Sequence, residues 1–174
     1  MGEHARTVAS LARAGRLPAV PELLASPTLV LTREQYEVVI GHCLDGFPDE
    51  ACGMFSGPLT TPDAAHGGAA TPSGIVGAVH PCRNADASAR TYTVDSRDLL
   101  RAMRAAEDEG DEIVGVWHSH THTDAYPSAT DVRQAVDASW LYAIVSLKHG
   151  SPVMRAYRIV DGAITEVPVA LVDD

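Results

Sequence analysis

Three features of this 174-residue sequence predict an α/β fold, a mixed sheet with helices packed on it. Segments with apolar residues at helical spacing alternate with short β-branched runs. Two strand-like runs near the C-terminus flank Asp161-Gly162, the dipeptide of a type I′ hairpin. Apolar residues make up 45% of the chain, enough for the core of one domain.

Each element has its own local signal. Residues 1–28 read as an N-terminal extension. Thr7 to Leu17 suits a short Arg-bearing helix, and Pro18, Pro21 and Pro27 break its continuation. The compact domain is expected at 29–174. Thr32 and Gln35 have the spacing of a capping box, and Tyr36, Val39, Ile40 and Cys43 then recur at helical spacing. That helix stops before Pro48. Ala51 to Gly57 suits a strand. Residues 58–74, rich in Pro, Gly, Ala and Thr, read as a loop without periodicity. Ile75 to His80 and Thr91 to Asp95 are strand candidates. Ser96 is placed to cap a helix through Leu99, Leu100, Met103 and Ala106, ending at Gly110. Ile113 to His120 is a central strand, Ser128 to Val136 a helix, and Leu141 to Leu147 a second buried strand. Val153 to Val160 and Ala163 to Val167 form the hairpin.

Composition narrows the function. Thirteen basic residues against 23 acidic ones leave a net charge of −10. That argues against nucleic acid as a partner, since phosphates would be repelled. No apolar run reaches bilayer-spanning length, and the first residues lack the layout of a secretory signal. A cytoplasmic protein is expected. Cys43, Cys52 and Cys82 include no CxxC pair, so buried thiols are expected rather than a disulfide framework or a cysteine-bound zinc.

The chemistry concentrates at Trp117-His118-Ser119-His120, followed by Tyr126-Pro127-Ser128-Ala129-Thr130-Asp131. Residues two apart on a strand face the same way, so His118 and His120 can reach one point. Ser128 and Asp131, three apart at a helix start, share a face. A seven-residue turn, 121–127, can fold that helix back over the strand end. Two imidazoles and one carboxylate with an open position make the arrangement of a catalytic zinc. Each piece alone has a plainer reading. A His-x-His pair is often incidental, and Ser-x-x-Asp after a proline is often only a helix cap. The combination is the specific signal. Hydrolysis also needs a base, and by chemistry alone Glu50 and its neighbour Asp49 are both candidates.

The pattern Glu50, then His118-Ser119-His120, then Ser128 and Asp131 resembles the signature of the JAMM, or MPN-plus, metallopeptidase family. Pro48-Asp49-Glu50-Ala51-Cys52-Gly53 resembles the family's segment around its catalytic glutamate. The similarity runs over about residues 30–172. Through Arg155–Gly162 and the strand after it, the similarity is greatest to the bacterial CysO-cysteine peptidase branch. It implies a curved mixed sheet of cytidine-deaminase-like architecture. It implies one Zn²⁺ on His118, His120 and Asp131, Glu50 as general base, and Ser128 as a donor to the oxyanion. It further implies hydrolysis of the amide after the C-terminal Gly-Gly of a ubiquitin-like sulfur-carrier protein, releasing cysteine or another small amine. Thr121 stands where many members have proline. His122 matches no family role and is expected on a solvent-facing loop.

Rival readings fit less well. A metallo-β-lactamase-like site needs Asp-His where the chain has His122-Thr123. A non-haem iron site needs a different ligand order. Neither Ser119 nor Ser128 lies in a G-x-S-x-G elbow. Two further readings stay open at this level, a metal-free binding scaffold and an isopeptidase acting on protein targets.

Overall fold

The computed structural model describes residues 28–60, 71–72 and 74–173. The expected helix Thr7–Leu17 lies outside them. A short strand β1 (Leu29–Thr32) leads into helix α1 (Arg33–Gly46) through the expected capping box. The Thr32 hydroxyl accepts from the Gln35 N–H at 3.1 Å, and the Gln35 side chain accepts from the Thr32 N–H at 2.9 Å. Strand β2 (Cys52–Gly57) follows. Inside the segment read as a loop, β3 (Leu59–Thr60) and β4 (Thr71–Pro72) form a two-residue ladder, a small correction.

Strand β5 is Ala78–Cys82, offset from the expected Ile75–His80. The Val76 N–H donates to the Val30 carbonyl at 3.0 Å, so this stretch first binds β1 and pairs with β2 only from Ala78 on. Pro81 is tolerated because β5 is an edge strand, where a missing N–H costs no ladder bond. Thr91–Asp95 is not a strand. Only Val94 makes a bridge, to Asn84. The Asn84 side chain takes the Thr91 carbonyl and the Thr93 N–H, groups a ladder would have used.

Helix α2 (Ser96–Glu109) is capped by Asp95, not Ser96. The Asp95 carboxylate accepts from the Arg97 and Asp98 N–H groups at 3.0 and 3.4 Å. Ser96 is therefore the first helical residue, one position too far in to cap. The helix ends at Gly110 with φ 73°, a conformation that favours glycine. Strand β6 (Glu112–His120) and strand β7 (Leu141–Ser146) run parallel, separated by helix α3 (Ala129–Gln134), which stops two residues short of Val136. Strands β8 (Val153–Val160) and β9 (Ala163–Val167) form the expected hairpin. Asp161 and Gly162 both have positive φ, 50° and 79°. Strand β10 (Val169–Val172) pairs parallel with β1, a contact between chain-distant segments.

The main sheet has the order β5-β2-β6-β7-β8-β9. Its two faces carry separate cores. Leu29, Leu31, Val39, Phe55, Trp117 and Val145 lie on the α1 face. Met54, Ala102, Val116, Ile144 and Tyr157 lie on the α2 face. A bulge in β6 sets which histidines face which core. Phe55 pairs with Gly115 and Ser56 with Ile113, so Val114 is an extra residue. Beyond it Val116, His118 and His120 share the α2 face, while Trp117 and Ser119 turn to the other.

Trp117 lies over Gly53, and a Cβ there would meet the indole at 2.2 Å and the His80 carbonyl at 2.5 Å. Gly53→Ala is therefore expected to lower the unfolding free energy in urea by about 1–3 kcal/mol. Gly41→Ala on α1, where a Cβ meets nothing within 4 Å, should raise it by about 1 kcal/mol.

Candidate metal centre

His118 and His120 end the central strand, and both are almost fully buried. Their Nε2 atoms lie 3.1 Å apart. Asp131 reaches both: Oδ1 is 3.3 Å from His118 Nε2, and Oδ2 is 3.4 Å from His120 Nε2. Two ligand atoms on zinc bonds of about 2.0 Å at tetrahedral angles are separated by roughly 3.3 Å. The imidazole pair and each imidazole–carboxylate contact are near that spacing, with a different Asp131 oxygen facing each ring, and one ligand atom from each of the three side chains lies within 4.8 Å of the others. The His120 Nδ1 lies 2.9 Å from the Asp124 carbonyl. A carbonyl only accepts, so Nδ1 carries the proton and Nε2 offers its lone pair. Among the described residues this is the one cluster of three metal-type side chains.

The intervening loop places Asp131. The Thr121 hydroxyl donates to the Ala89 carbonyl at 3.2 Å. The Ser146 hydroxyl donates to the Thr123 carbonyl at 2.6 Å, and the Tyr157 hydroxyl to the Ala125 carbonyl. These bonds fold 121–127 back so that α3 begins over the strand end. Ser128 and Asp131 then form a true capping box. The Ser128 N–H donates to Asp131 Oδ2 at 2.6 Å, and the Asp131 N–H to Ser128 Oγ at 3.2 Å. Cap and cluster share one carboxylate. Ser128 is exposed, with its hydroxyl proton not used by the cap.

Glu50 lies between α1 and β2 and is buried. Its N–H donates to the Ser88 carbonyl at 2.8 Å, and its carbonyl accepts from Asn84 at 2.9 Å. The next residue, Ala51, is gripped by Ser119. The Ala51 N–H donates to Ser119 Oγ at 2.8 Å, and the Ser119 N–H to the Ala51 carbonyl at 2.9 Å. Asp49, the other candidate base, is partly exposed. His122 is exposed, as expected of a loop residue.

Electrostatics follow the burial. Burial raises the Glu50 carboxyl to about 7, with His120 pulling it back and Asp131 adding to the rise. For Asp131 burial acts the same way, but the His118 and His120 imidazoles beside it, with Ser128, outweigh it and hold the carboxyl well below its usual range. Burial pushes the His118 imidazole down despite Asp131. On His120 burial is outweighed by Asp131 and the Asp124 carbonyl, so its imidazole is held above its ordinary value. Tyr92 stacks on His118 with ring centroids 4.3 Å apart. Sequence reasoning passed over Tyr92, Asn84 and Asp124. Asn84, in a polar stretch between strands, had a weak turn signal. The other two had none.

A buried two-histidine, one-carboxylate cluster at the end of a central strand, with a carboxyl beside it, defines an α/β protein with a candidate metal centre. The profile of prokaryotic homologs of the JAB domain matches residues 32–160. The CysO-cysteine peptidase of Mycobacterium tuberculosis (strain H37Rv) is 38% identical over 146 residues, 83% of this chain and 92% of that protein. The desampylase of Haloferax volcanii is 30% identical over 128 residues, 71% and 84% of the two chains. A solved structure of a Desulfitobacterium hafniense protein matches with a TM-score of 0.71 at 30% identity, covering 83% of this chain and 93% of that one. This chain belongs to the prokaryotic JAB-domain family.

In chelator-treated protein, NMR titration of the ring protons should find His118 below and His120 above about 6.5. Asp131→Asn should lower the His120 value. An unchanged His120 would remove Asp131 as its charge partner.

Proposed function

We propose that the chain is a zinc peptidase that cuts the amide bond after the C-terminal Gly-Gly of a ubiquitin-like sulfur-carrier protein. The product beside the carrier is cysteine or another small amine. The observation that carries this reading is the convergence of two buried imidazoles and one carboxylate, with ligand atoms within 4.8 Å of one another, beside a buried carboxyl. The name of the Mycobacterium tuberculosis relative supports the substrate class, since it matches over nearly its whole length. We place the reaction in the cytoplasm and in cysteine biosynthesis. Three buried free thiols suit a reducing compartment. No helix among the described residues is long and apolar enough to cross a membrane.

His118, His120 and Asp131 would hold the ion, and all three are buried. When bound, it supplies Lewis acidity, which polarises a carbonyl and brings the pKa of water from about 15.7 toward roughly 7. Glu50 Oε accepts a proton from the attacking water and returns it to the leaving nitrogen as the C–N bond breaks. A carboxyl raised to about 7 is matched to both transfers near neutral pH. The Ser128 hydroxyl, held in place as cap acceptor, directs its free proton to the developing oxyanion. The Asp124 carbonyl keeps His120 in the tautomer that ligates.

Elemental mass spectrometry should find about one zinc per wild-type chain and none in His118→Ala. Glu50→Gln should keep the zinc and lose turnover of a carrier adduct whose Gly-Gly end is amide-linked to cysteine, read by intact mass. Ser128→Ala should keep the zinc and slow turnover by about 10²–10³-fold. Normal turnover by zinc-loaded Glu50→Gln would sink the base assignment. An adduct left intact, while the same carrier is removed from a protein lysine, would shift the substrate to protein conjugates. Only the carboxylate accepts a proton, so kcat/KM should fall as pH drops through the Glu50 pKa. That limb is expected at or below about pH 7, because a neighbouring cation lowers the value.

A further inference from the structure

Glu50 belongs to no regular element. Helix α1 ends at Gly46 and β2 begins only at Cys52. A side chain bearing proton transfer therefore sits on backbone that neither a helix nor a ladder holds. Part of its support comes from the arch of residues 83–95, where the Asp95 N–H donates to the Arg83 carbonyl at 3.0 Å and the Ala85 N–H to the Thr93 carbonyl at 2.8 Å.

Asn84 is the hub of that arch. Its Nδ2 donates to the Glu50 carbonyl at 2.9 Å and to the Thr91 carbonyl at 3.0 Å. Its Oδ1 accepts from the Asp86 N–H at 3.0 Å and from the Thr93 N–H at 3.1 Å. Two donors and two acceptors are the full capacity of a primary amide. Two carbonyls on one side and two N–H groups on the other fix which end is nitrogen. The bonds to Thr91 and Thr93 bracket Tyr92, the residue stacked on His118. One amide thus ties the Glu50 backbone to the segment that lies against a metal-facing ring. No other side chain of this size offers both pairs. Asp would set a carboxylate against two carbonyls, and Ala would leave all four groups open.

We propose that Asn84 is a positioning residue for the peptidase reaction, acting by holding Glu50 at a fixed distance from the His118–His120–Asp131 cluster. The proposal rests on the reading of Glu50 as proton acceptor. Proton transfer is steep in distance, and a misplacement of about 1 Å can cost on the order of 100-fold in rate. None of the three side chains read as ion ligands hydrogen-bonds to Asn84.

The test uses full-length zinc-loaded protein and the carrier–cysteine adduct. Steady-state kinetics are run on Asn84→Ala and Asn84→Asp, with single turnover at excess enzyme for slow variants. Asn84→Asp keeps the acceptor bonds of the arch and replaces the donors by a carboxylate oxygen facing the Glu50 and Thr91 carbonyls, so it stays informative should Asn84→Ala fail to fold. Both variants are expected to keep about one zinc per chain and a near-normal KM, with kcat down on the order of 100-fold. In a Glu50→Gln background, adding Asn84→Asp should cost nothing further. Full kcat in zinc-loaded Asn84→Asp would overturn the proposal. So would loss of zinc, or an equal further loss in the Glu50→Gln background, since either makes the residue act elsewhere than through Glu50. Normal turnover by Glu50→Gln alone would instead overturn the base reading beneath it, with the Asn84 result read separately.

Discussion

Between two histidines that face one core, Ser119 faces the other, and its bonds to Ala51 join the two halves of the site. Its hydroxyl accepts from the Ala51 N–H and its own N–H donates to the Ala51 carbonyl. That clasp fixes the position of the residue after Glu50 against the residue between His118 and His120. The facing of both imidazoles then depends on strand parity. The Val114 bulge turns the last residues of β6 so that both imidazoles face α2 while Ser119 faces β2's entry. Without that extra residue the whole set would point to the opposite core.

The cluster also shows why a capping box and a ligand set need not compete. Asp131 accepts the Ser128 N–H while facing both Nε2 atoms. The cap orients the carboxylate at a helix start whose N–H groups favour negative charge. Burial alone would raise that carboxyl, yet its hydrogen bonds keep it ionised. The same burial acts on Glu50 with weaker compensation, and its carboxyl rises to about 7. Two neighbouring carboxyls are therefore driven apart, one held ionised and the other raised toward neutrality.

Local signals were legible in the sequence. The Thr32–Gln35 box, the Asp161-Gly162 turn and the Gly110 terminus each depend on a few neighbouring residues, and each formed as read. The site was legible because its signal is periodic. His118 and His120 are two apart on a strand, and Ser128 and Asp131 three apart on a helix. What escaped depends on chain-distant partners. The β1–β10 pair joins residues about 140 apart, and nothing local in either strand names the other. The β5 offset arose because Val76 had a partner in Val30. Asp95 displaced Ser96 as the cap, a choice between adjacent good capping residues that spacing alone does not make.

The stretch read as a strand at Thr91–Asp95 carries the deepest lesson of these. Its residues have strand-like composition, and a ladder there was the reasonable expectation. A single asparagine took the ladder's place, using its side chain to bond groups that a neighbouring strand would have met with backbone. A ladder extends in one direction and ties its two strands only to each other. A side-chain amide is free to reach a third segment, and here the third segment is Glu50. One polar hub thereby closes the arch that carries the stacked tyrosine and, with the same side chain, ties it to the chain-distant Glu50. The cost is local regularity, which is the feature that sequence patterns detect. Sites assembled from loops on a rigid sheet will for this reason hide their positioning residues from periodicity while displaying their ligands.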